Sequence, residues 1–396
     1  MPIPTLEDLL RAPGGVRGAR VLVRADLNVP LKDGRIRDDT RIRASLPTLR
    51  RLLAAGARVV VASHLGRPKG GPDPALSLRP VATRLGELLG REVRFSPQVV
   101  GPEAGAAVAA LRDGELLLLE NVRFEPGETK NDPELSRRLA DLADAYVNDA
   151  FGTAHRAHAT TAGVVPLVPR RAGGELLLSE LEHLRVVREP ERPLLCLLGG
   201  AKVSDKLAVL EALAPHADVL AIGGAMAYTF LRARGEPTGA SLVEEDRLAD
   251  AERVAAAAQA AGHELLLPMD HVVAQRMEEG APTRVVERIP DGWMGLDVGP
   301  RTAALYAEEA RRAKTIFWNG PMGVFEIDAF AKGTEAVARA VAESKARSIV
   351  GGGDSLAAVA KVGVADRIGH LSTGGGASLE YVQGLQLPGV VALEGR

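Results

Sequence analysis

Short β-rich runs alternate with longer amphipathic stretches from one end of the chain to the other, which predicts an α/β fold of βαβ units with mainly parallel sheets. Two further observations divide that fold in two. A chain of 396 residues exceeds one ordinary core. Near its middle, Pro166, Pro169, Gly173 and Gly174 interrupt the alternation and precede a helix-like stretch from Glu175 to Arg188. The expected organisation is a first domain over residues 1–170, a helical hinge over 171–191 and a second domain over 192–387.

In the first half the β-rich runs are Val21 to Arg24, Val59 to Ala62, Leu116 to Leu119 and Tyr146 to Asn148. A helix is expected to open near Asp39 and Thr40, carry Leu46, Leu49, Leu52 and Leu53 on one face, and stop at Gly56. Another opens at Asn131, Asp132 and Pro133, a capping residue followed by proline in the first turn. In the second half the runs are Leu194 to Leu198, Val219 to Ile222, Leu265 to Leu267, Ile316 to Trp318, Ile349 to Val350 and a short one at Leu371.

The bulk properties exclude several classes. Net charge is −2 and aromatic residues make up 3% of the chain, so neither a general basic field nor stacking platforms point to nucleic acid. No apolar run approaches the roughly 18 residues of a membrane span, and the first residues lack a basic and then apolar leader pattern, so a cytoplasmic protein is expected. The single cysteine, Cys196, lies within an apolar run and reads as a buried thiol. Metal spacings of the CxxC or HExxH kind are absent.

Strand ends in the first half carry charge. Arg24 closes the first run and Asp26 and Asn28 follow it, His64, Gly66 and Arg67 follow the second, Arg123 the third, and His155 and Arg156 the fourth, with Arg41 at the start of a helix. Parallel strands bring these ends to one edge, where guanidinium forks suit phosphate and carboxylate oxygens. Asp26 and Asn28 then suit ligand hydroxyls. A lone arginine in a chain with 40 Arg and 9 Lys is usually a solvated residue; five on equivalent ends are a pattern.

Strand ends in the second half carry glycine: Gly199-Gly200, Gly223-Gly224, Gly320, Gly351-Gly352-Gly353 and Gly374-Gly375-Gly376. Such turns aim backbone N–H groups and helix dipoles at an anion. Lys202 and Lys206 follow the first pair, and their spacing predicts one face of the first turn of a helix. Asp354 and Ser355 follow the glycine triplet, where a carboxylate suits Mg²⁺ already held by phosphates. The P-loop and G-x-G-x-x-G patterns are missing, which excludes those two nucleotide-binding designs.

Nine strings in one order resemble the phosphoglycerate kinase family. They are Val23 to Pro30, Ser63 to Pro68, Leu119 to Phe124, Asp149 to His158, Gly199 to Lys206, Asp291 to Asp297, Trp318 to Glu326, Gly351 to Ser355 and Ser372 to Glu380. The resemblance implies two Rossmann-like three-layer domains, with a C-terminal tail of about residues 388–396 returning to the first. It also implies reversible phosphoryl transfer from 1,3-bisphosphoglycerate to Mg-ADP, giving 3-phosphoglycerate and ATP, by a monomer that closes about its hinge. Asp26, Asn28, Arg41, His64, Gly66, Arg67, Arg123, His155 and Arg156 match the triose set. Gly200, Lys202, Lys206, Gly223, Gly224, Gly295, Asn319, Glu326, Gly352, Gly353, Asp354 and Ser355 match the nucleotide set, with Asp354 facing Mg²⁺. Arg41, Lys202, Gly374, Gly375 and Gly376 match the groups around the moving phosphoryl. Departures are Ala225 after Gly223-Gly224, Ser355 where threonine is frequent, the connector from Ala172 to Leu178, and Gln383 to Leu385 without a lysine. A metabolite-binding protein of the same fold that has lost the chemistry is the competing reading, and the retained Lys202, Lys206 and Asp354 weigh against it.

Overall fold

Valine and leucine at successive strand positions leave neither face of a strand to water, as parallel sheets covered by helices require. In the computed structural model, which describes residues 3–69 and 71–395, the chain divides into two compact units, Met1–Leu181 with Gln386–Arg396, and Glu182–Leu385. The boundary falls inside the helix Glu175–Arg188.

The first unit contains β1 (Arg20–Ala25), a small hairpin of β2 (Leu31–Lys32) and β3 (Arg35–Ile36), then β4 (Arg58–Ala62), β5 (Arg94–Phe95), β6 (Leu116–Leu118), β7 (Ala145–Asp149) and β8 (Arg171–Gly173). Apart from the hairpin these form one parallel sheet in the order β5-β6-β4-β1-β7-β8. Val21 and Val23 on β1, with Val59 and Val61 on β4, pack against Ile42, Leu49 and Leu52 of the helix Thr40–Ala54. The helix Pro133–Ala140 begins as its sequence signals, with the Asp132 carboxylate accepting from the Leu135 N–H and proline in the first turn. The C-terminal helix Pro388–Glu394 belongs to this unit. There the Gly389 N–H donates to the Ala154 carbonyl at 2.8 Å, an approach that leaves little room for a side chain.

The second unit contains β9 (Leu194–Leu198), β10 (Val219–Ile222), β11 (Glu264–Leu266), β12 (His271–Ala274), β13 (Arg284–Val286), β14 (Met294–Val298), β15 (Thr315–Asn319), β16 (Arg347–Gly351) and β17 (His370–Ser372). Six form a parallel sheet, β11-β10-β9-β15-β16-β17. The other three form an antiparallel sheet, β13-β12-β14, that the run analysis does not anticipate. Trp318, Tyr306 and Leu197 are among the buried residues of this unit's core.

Register explains why the motifs share an edge. Arg24 on β1 pairs with Ala62 and with Asn148, so the chain leaves β1, β4 and β7 at one level. Asn319 on β15 pairs with Leu198 and Gly351, Leu198 with Ile222, and Gly351 with Ser372, so four glycine turns and the Ser372 turn also emerge together. Ligand sites of open parallel sheets lie along such a carboxyl edge.

One sequence expectation fails here. Lys202 and Lys206 do not share a helical turn: residues 202–206 form a bend and turn, and the helix Leu207–Leu213 starts only after Lys206. The Glu244 carboxylate accepts from both the N–H and the hydroxyl of Ser204, and the Val203 side chain is buried, so this stretch is tied sideways rather than wound into a helix. The run expected over Leu265 to Leu267 lies one residue earlier, at Glu264–Leu266.

Candidate functional site

In the first unit, Arg67, Arg123 and Arg156 line one cleft of about 500 Å³ whose walls include Pro68, Phe124 and Pro126. Arg123 comes from the short 3-10 turn after β6, Arg67 from the loop after β4 and Arg156 from the loop after β7. None of the three has an ion-pair partner among the described residues. Arg123 Nη1 donates to the Gly66 carbonyl at 2.6 Å, while its buried Nε has no protein partner. Burial, then the charges of Arg24 and Arg156, lower the Arg123 pKa, with Glu128 the opposing charge.

Beside the cleft the Gly66 N–H donates to Asn28 Oδ1 at 2.9 Å, which joins the loops after β1 and β4. Asp26 receives Arg41 Nη1, and His64 Nδ1 lies 3.9 Å from its other oxygen. Burial alone would raise the Asp26 carboxyl, but the Arg41 and Arg24 charges and the Asn28 N–H oppose it and hold it below the usual carboxylate range. His155 Nε2 accepts from Arg156 Nε at 3.1 Å. Arg24 is the exception among the five arginines: it is buried beneath the edge rather than on it.

In the second unit the central feature is Lys206. Its ammonium donates to both the backbone carbonyl and Oδ1 of Asn319, each at 2.6 Å. Burial pulls its pKa down to about 8, against the opposing charges of Asp354 and Asp205. Because Asn319 Oδ1 faces the lysine, its Nδ2 points elsewhere, buried and without a protein partner, close to the Gly352 position. A donor left over in this way suits a ligand oxygen.

The glycine turns have two different causes. A side chain at Gly224, whose φ is +67°, would come within 2.5 Å of the Gly200 backbone, so these two turns are glycine because they touch. At Gly375, φ +55°, nothing lies within 4 Å, so space is open beside the turn. There the Ser372 hydroxyl meets the Ser378 hydroxyl at 2.6 Å and accepts from the Gly374 N–H, fixing a loop that leads into Gly376. Gly223 backs onto Met322.

Asp354 is exposed in the first turn of the helix Gly353–Val362, where Gly352 holds the cap position and no side chain caps it. A lone carboxylate there, with no group of three metal-ligating side chains among the described residues, fits a cation that arrives on phosphates rather than one caged by protein. Ser355 is buried and accepts from the Gly320 N–H, bracing the β15 turn against that helix. Lys202, Gly353 and Glu326 are exposed; Gly295 lies buried on β14 against Tyr228, with its N–H donating to the Ser241 hydroxyl.

Sequence reasoning missed three buried polar groups behind these rims. Glu128 and Thr160 bind each other beneath the arginine cleft, and Asp149 accepts from the Leu176 N–H at the start of the helix Glu175–Arg188. Glu128 stands in a turn and Thr160 in the short π-helical segment Ala159–Gly163, neither marked by periodicity, so only their burial reveals them.

A family model described as phosphoglycerate kinase matches residues 12–385. A phosphoglycerate kinase of Rubrobacter xylanophilus is 61% identical over 384 residues, covering 96% of this chain and 97% of its own length. That of Moorella thermoacetica is 57% identical over 392 residues, covering 98% of each. Among solved structures, phosphoglycerate kinase from Coxiella burnetii superposes with a TM-score of 0.91 at 42% identity over the whole of both chains. The enzyme from Pyrococcus horikoshii does so with 0.85 at 33% identity, covering 99% of this chain and 98% of that one. With two rims of the expected chemistry and a match over nearly its whole length, the chain belongs to the phosphoglycerate kinase family.

Proposed function

We propose that this protein transfers the acyl phosphate of 1,3-bisphosphoglycerate reversibly to Mg-ADP, giving 3-phosphoglycerate and ATP, as a cytoplasmic monomer. The observation that carries the reading is the arginine cleft, where three guanidinium groups share about 500 Å³ with no carboxylate ion-paired to them among the described residues. A ligand bearing phosphate and carboxylate supplies the missing charge. Asp26, Asn28, Arg41, His64, Gly66 and His155 complete the triose side.

On the nucleotide side Lys206 and Asn319 Nδ2 serve phosphate oxygens, the turns at Gly200, Gly223, Gly224, Gly352 and Gly353 let phosphates approach the backbone, and Gly295 and Glu326 serve the nucleoside. Magnesium enters with the nucleotide as part of the substrate, and Asp354 faces it. Ser355 acts through the Gly320 turn it braces.

An acyl phosphate already carries a good leaving group, so the chain needs no covalent intermediate and no strong base. It must align the two ligands, exclude water and place positive potential around the phosphoryl in flight. Lys202, exposed and with no ion pair among the described residues, accompanies that group; Arg41 and the N–H groups of Gly374, Gly375 and Gly376 surround it. A coupled assay that follows 1,3-bisphosphoglycerate formation from 3-phosphoglycerate and Mg-ATP tests the reading. Steady turnover is expected, and folded protein with none would refute it.

A further inference from the structure

Arg24 does not act as an edge arginine. It sits on β1, the strand flanked by β4 and β7, with 1% of its surface exposed. Its guanidinium has donors only, so every bond it makes runs outward. Nε donates to Thr160 Oγ1 at 2.8 Å, Nη1 to the Ala25 carbonyl, and Nη2 faces His64 Nδ1 at 3.2 Å. Thr160 spends its one hydroxyl proton on Glu128 Oε1 at 2.5 Å, and its N–H goes to Glu128 Oε2 at 3.0 Å. The direction of the chain is therefore fixed from one end: Glu128 accepts, Thr160 relays, and Arg24 donates both ways.

A donor at Nδ1 leaves that nitrogen no proton of its own. The competing partner, Asp26, is 3.9 Å from Nδ1, beyond hydrogen-bond reach, and is occupied by Arg41 and the Asn28 N–H. His64 Nε2 makes no hydrogen bond with any described residue.

We propose that Arg24 is a positioning residue that locks His64 as the neutral tautomer with its proton on Nε2, so that the ring offers one N–H donor to an oxygen of the phosphorylated acid. This rests on the triose reading of the cleft. The charged groups facing the ring agree with it. Burial, then Arg24, Arg123 and Arg41, hold His64 well below the usual imidazole value, with Asp26 the opposing charge. Glu128, itself buried, is joined to Arg24 through the Thr160 hydroxyl, and the neutral His64 ring keeps its donor role throughout the neutral range.

Long-range ¹H–¹⁵N correlation on the labelled full-length protein reads the tautomer directly. The expected His64 pattern is an unprotonated Nδ1 and a protonated Nε2. In Arg24→Gln/Glu128→Gln, which removes both buried charges together so that neither is stranded, that pattern should give way to mixed tautomers. KM for 3-phosphoglycerate should then rise about tenfold, with KM for ATP within about twofold. Thr160→Val, close in shape, should shift the same signals less. A protonated Nδ1 in the parent overturns the proposal, as does an unchanged His64 pattern in a folded double variant. His64→Ala that binds 3-phosphoglycerate as tightly as the parent would leave the tautomer standing and overturn the triose reading instead.

Discussion

Lys202 and Lys206 follow the same glycine pair, yet the chain treats them differently. Lys206 is drawn in and held by Asn319, while Lys202 is left exposed on a turn. In the proposed reaction Lys206 serves bound phosphates and Lys202 the moving group. Lys202→Ala should therefore cut kcat by a factor of 10² to 10³, equivalent to roughly 3–4 kcal/mol of barrier, with the calorimetric Kd for Mg-ADP changed by only a few-fold; turnover within about tenfold of the parent counts against the assignment. Lys206 carries a pH prediction. Its folded pKa of about 8 lies below the ordinary 10.5, so the unfolded chain binds more protons between those values and stability rises with pH across that window. Bound phosphate restores the proton, so Mg-ADP affinity should fall above pH 8, by up to about tenfold per unit. Calorimetry in buffers of different ionisation heat should register proton uptake there, and Lys206→Arg should flatten the slope.

At the scale of elements, the connector helix Glu175–Arg188 opens on a buried carboxylate. Asp149 accepts from the Leu176 N–H at 2.9 Å, and a side chain at Gly174 would collide with it. Burial raises its pKa to about 7, against hydrogen bonds from Thr48 and the helix N–H groups. The folded state then holds a proton that the unfolded chain has released between about pH 4 and pH 7, so stability falls as pH rises through that window. Asp149→Asn keeps an acceptor for the helix and removes the slope. Its stability in urea above pH 7 should equal or exceed the parent's, by at most about 4 kcal/mol from the size of the shift. Gly224→Ala tests the glycine rim. With φ at +67° and the Gly200 backbone 2.5 Å from the new carbon, the turn must open. A loss of about 1–3 kcal/mol in stability is expected, together with weaker Mg-ADP binding.

How much of this was legible follows from where each residue sits. Arginines and glycines that directly follow β-rich runs, such as Arg67 after β4 and Gly223 after β10, could be placed on an edge because parallel strands all end on one side. The connector helix was legible from its own glycine and glutamate start. The lysine pair misled, because a side contact from Glu244, 40 residues away in sequence, decides that 202–206 is a turn. Likewise β12 and β14 carry buried polar residues, His271 and Asp297, and β13 has only three residues, none of them buried, so no run marked them. Arg24 reads in sequence like its neighbours, and only burial separates the arginine that supports the cleft from those that line it.

For the whole molecule, the proposed chemistry divides between two units, with the arginine cleft in one and the glycine turns in the other. The reaction requires the ligands to meet, so turnover in this account depends on closure about the connector, and each half should fail independently. The most direct measurement is the coupled assay with 3-phosphoglycerate and Mg-ATP on the parent, Arg123→Ala and Lys202→Ala, with binding of each ligand measured separately. Steady turnover by the parent is expected. Arg123→Ala should bind 3-phosphoglycerate about 10- to 100-fold more weakly, from a charge-assisted bond of roughly 1.5–3 kcal/mol, with Mg-ATP binding intact. Lys202→Ala should bind both ligands and turn over slowly. A folded parent that forms no 1,3-bisphosphoglycerate, or an Arg123→Ala variant whose 3-phosphoglycerate affinity is unchanged, would contradict it.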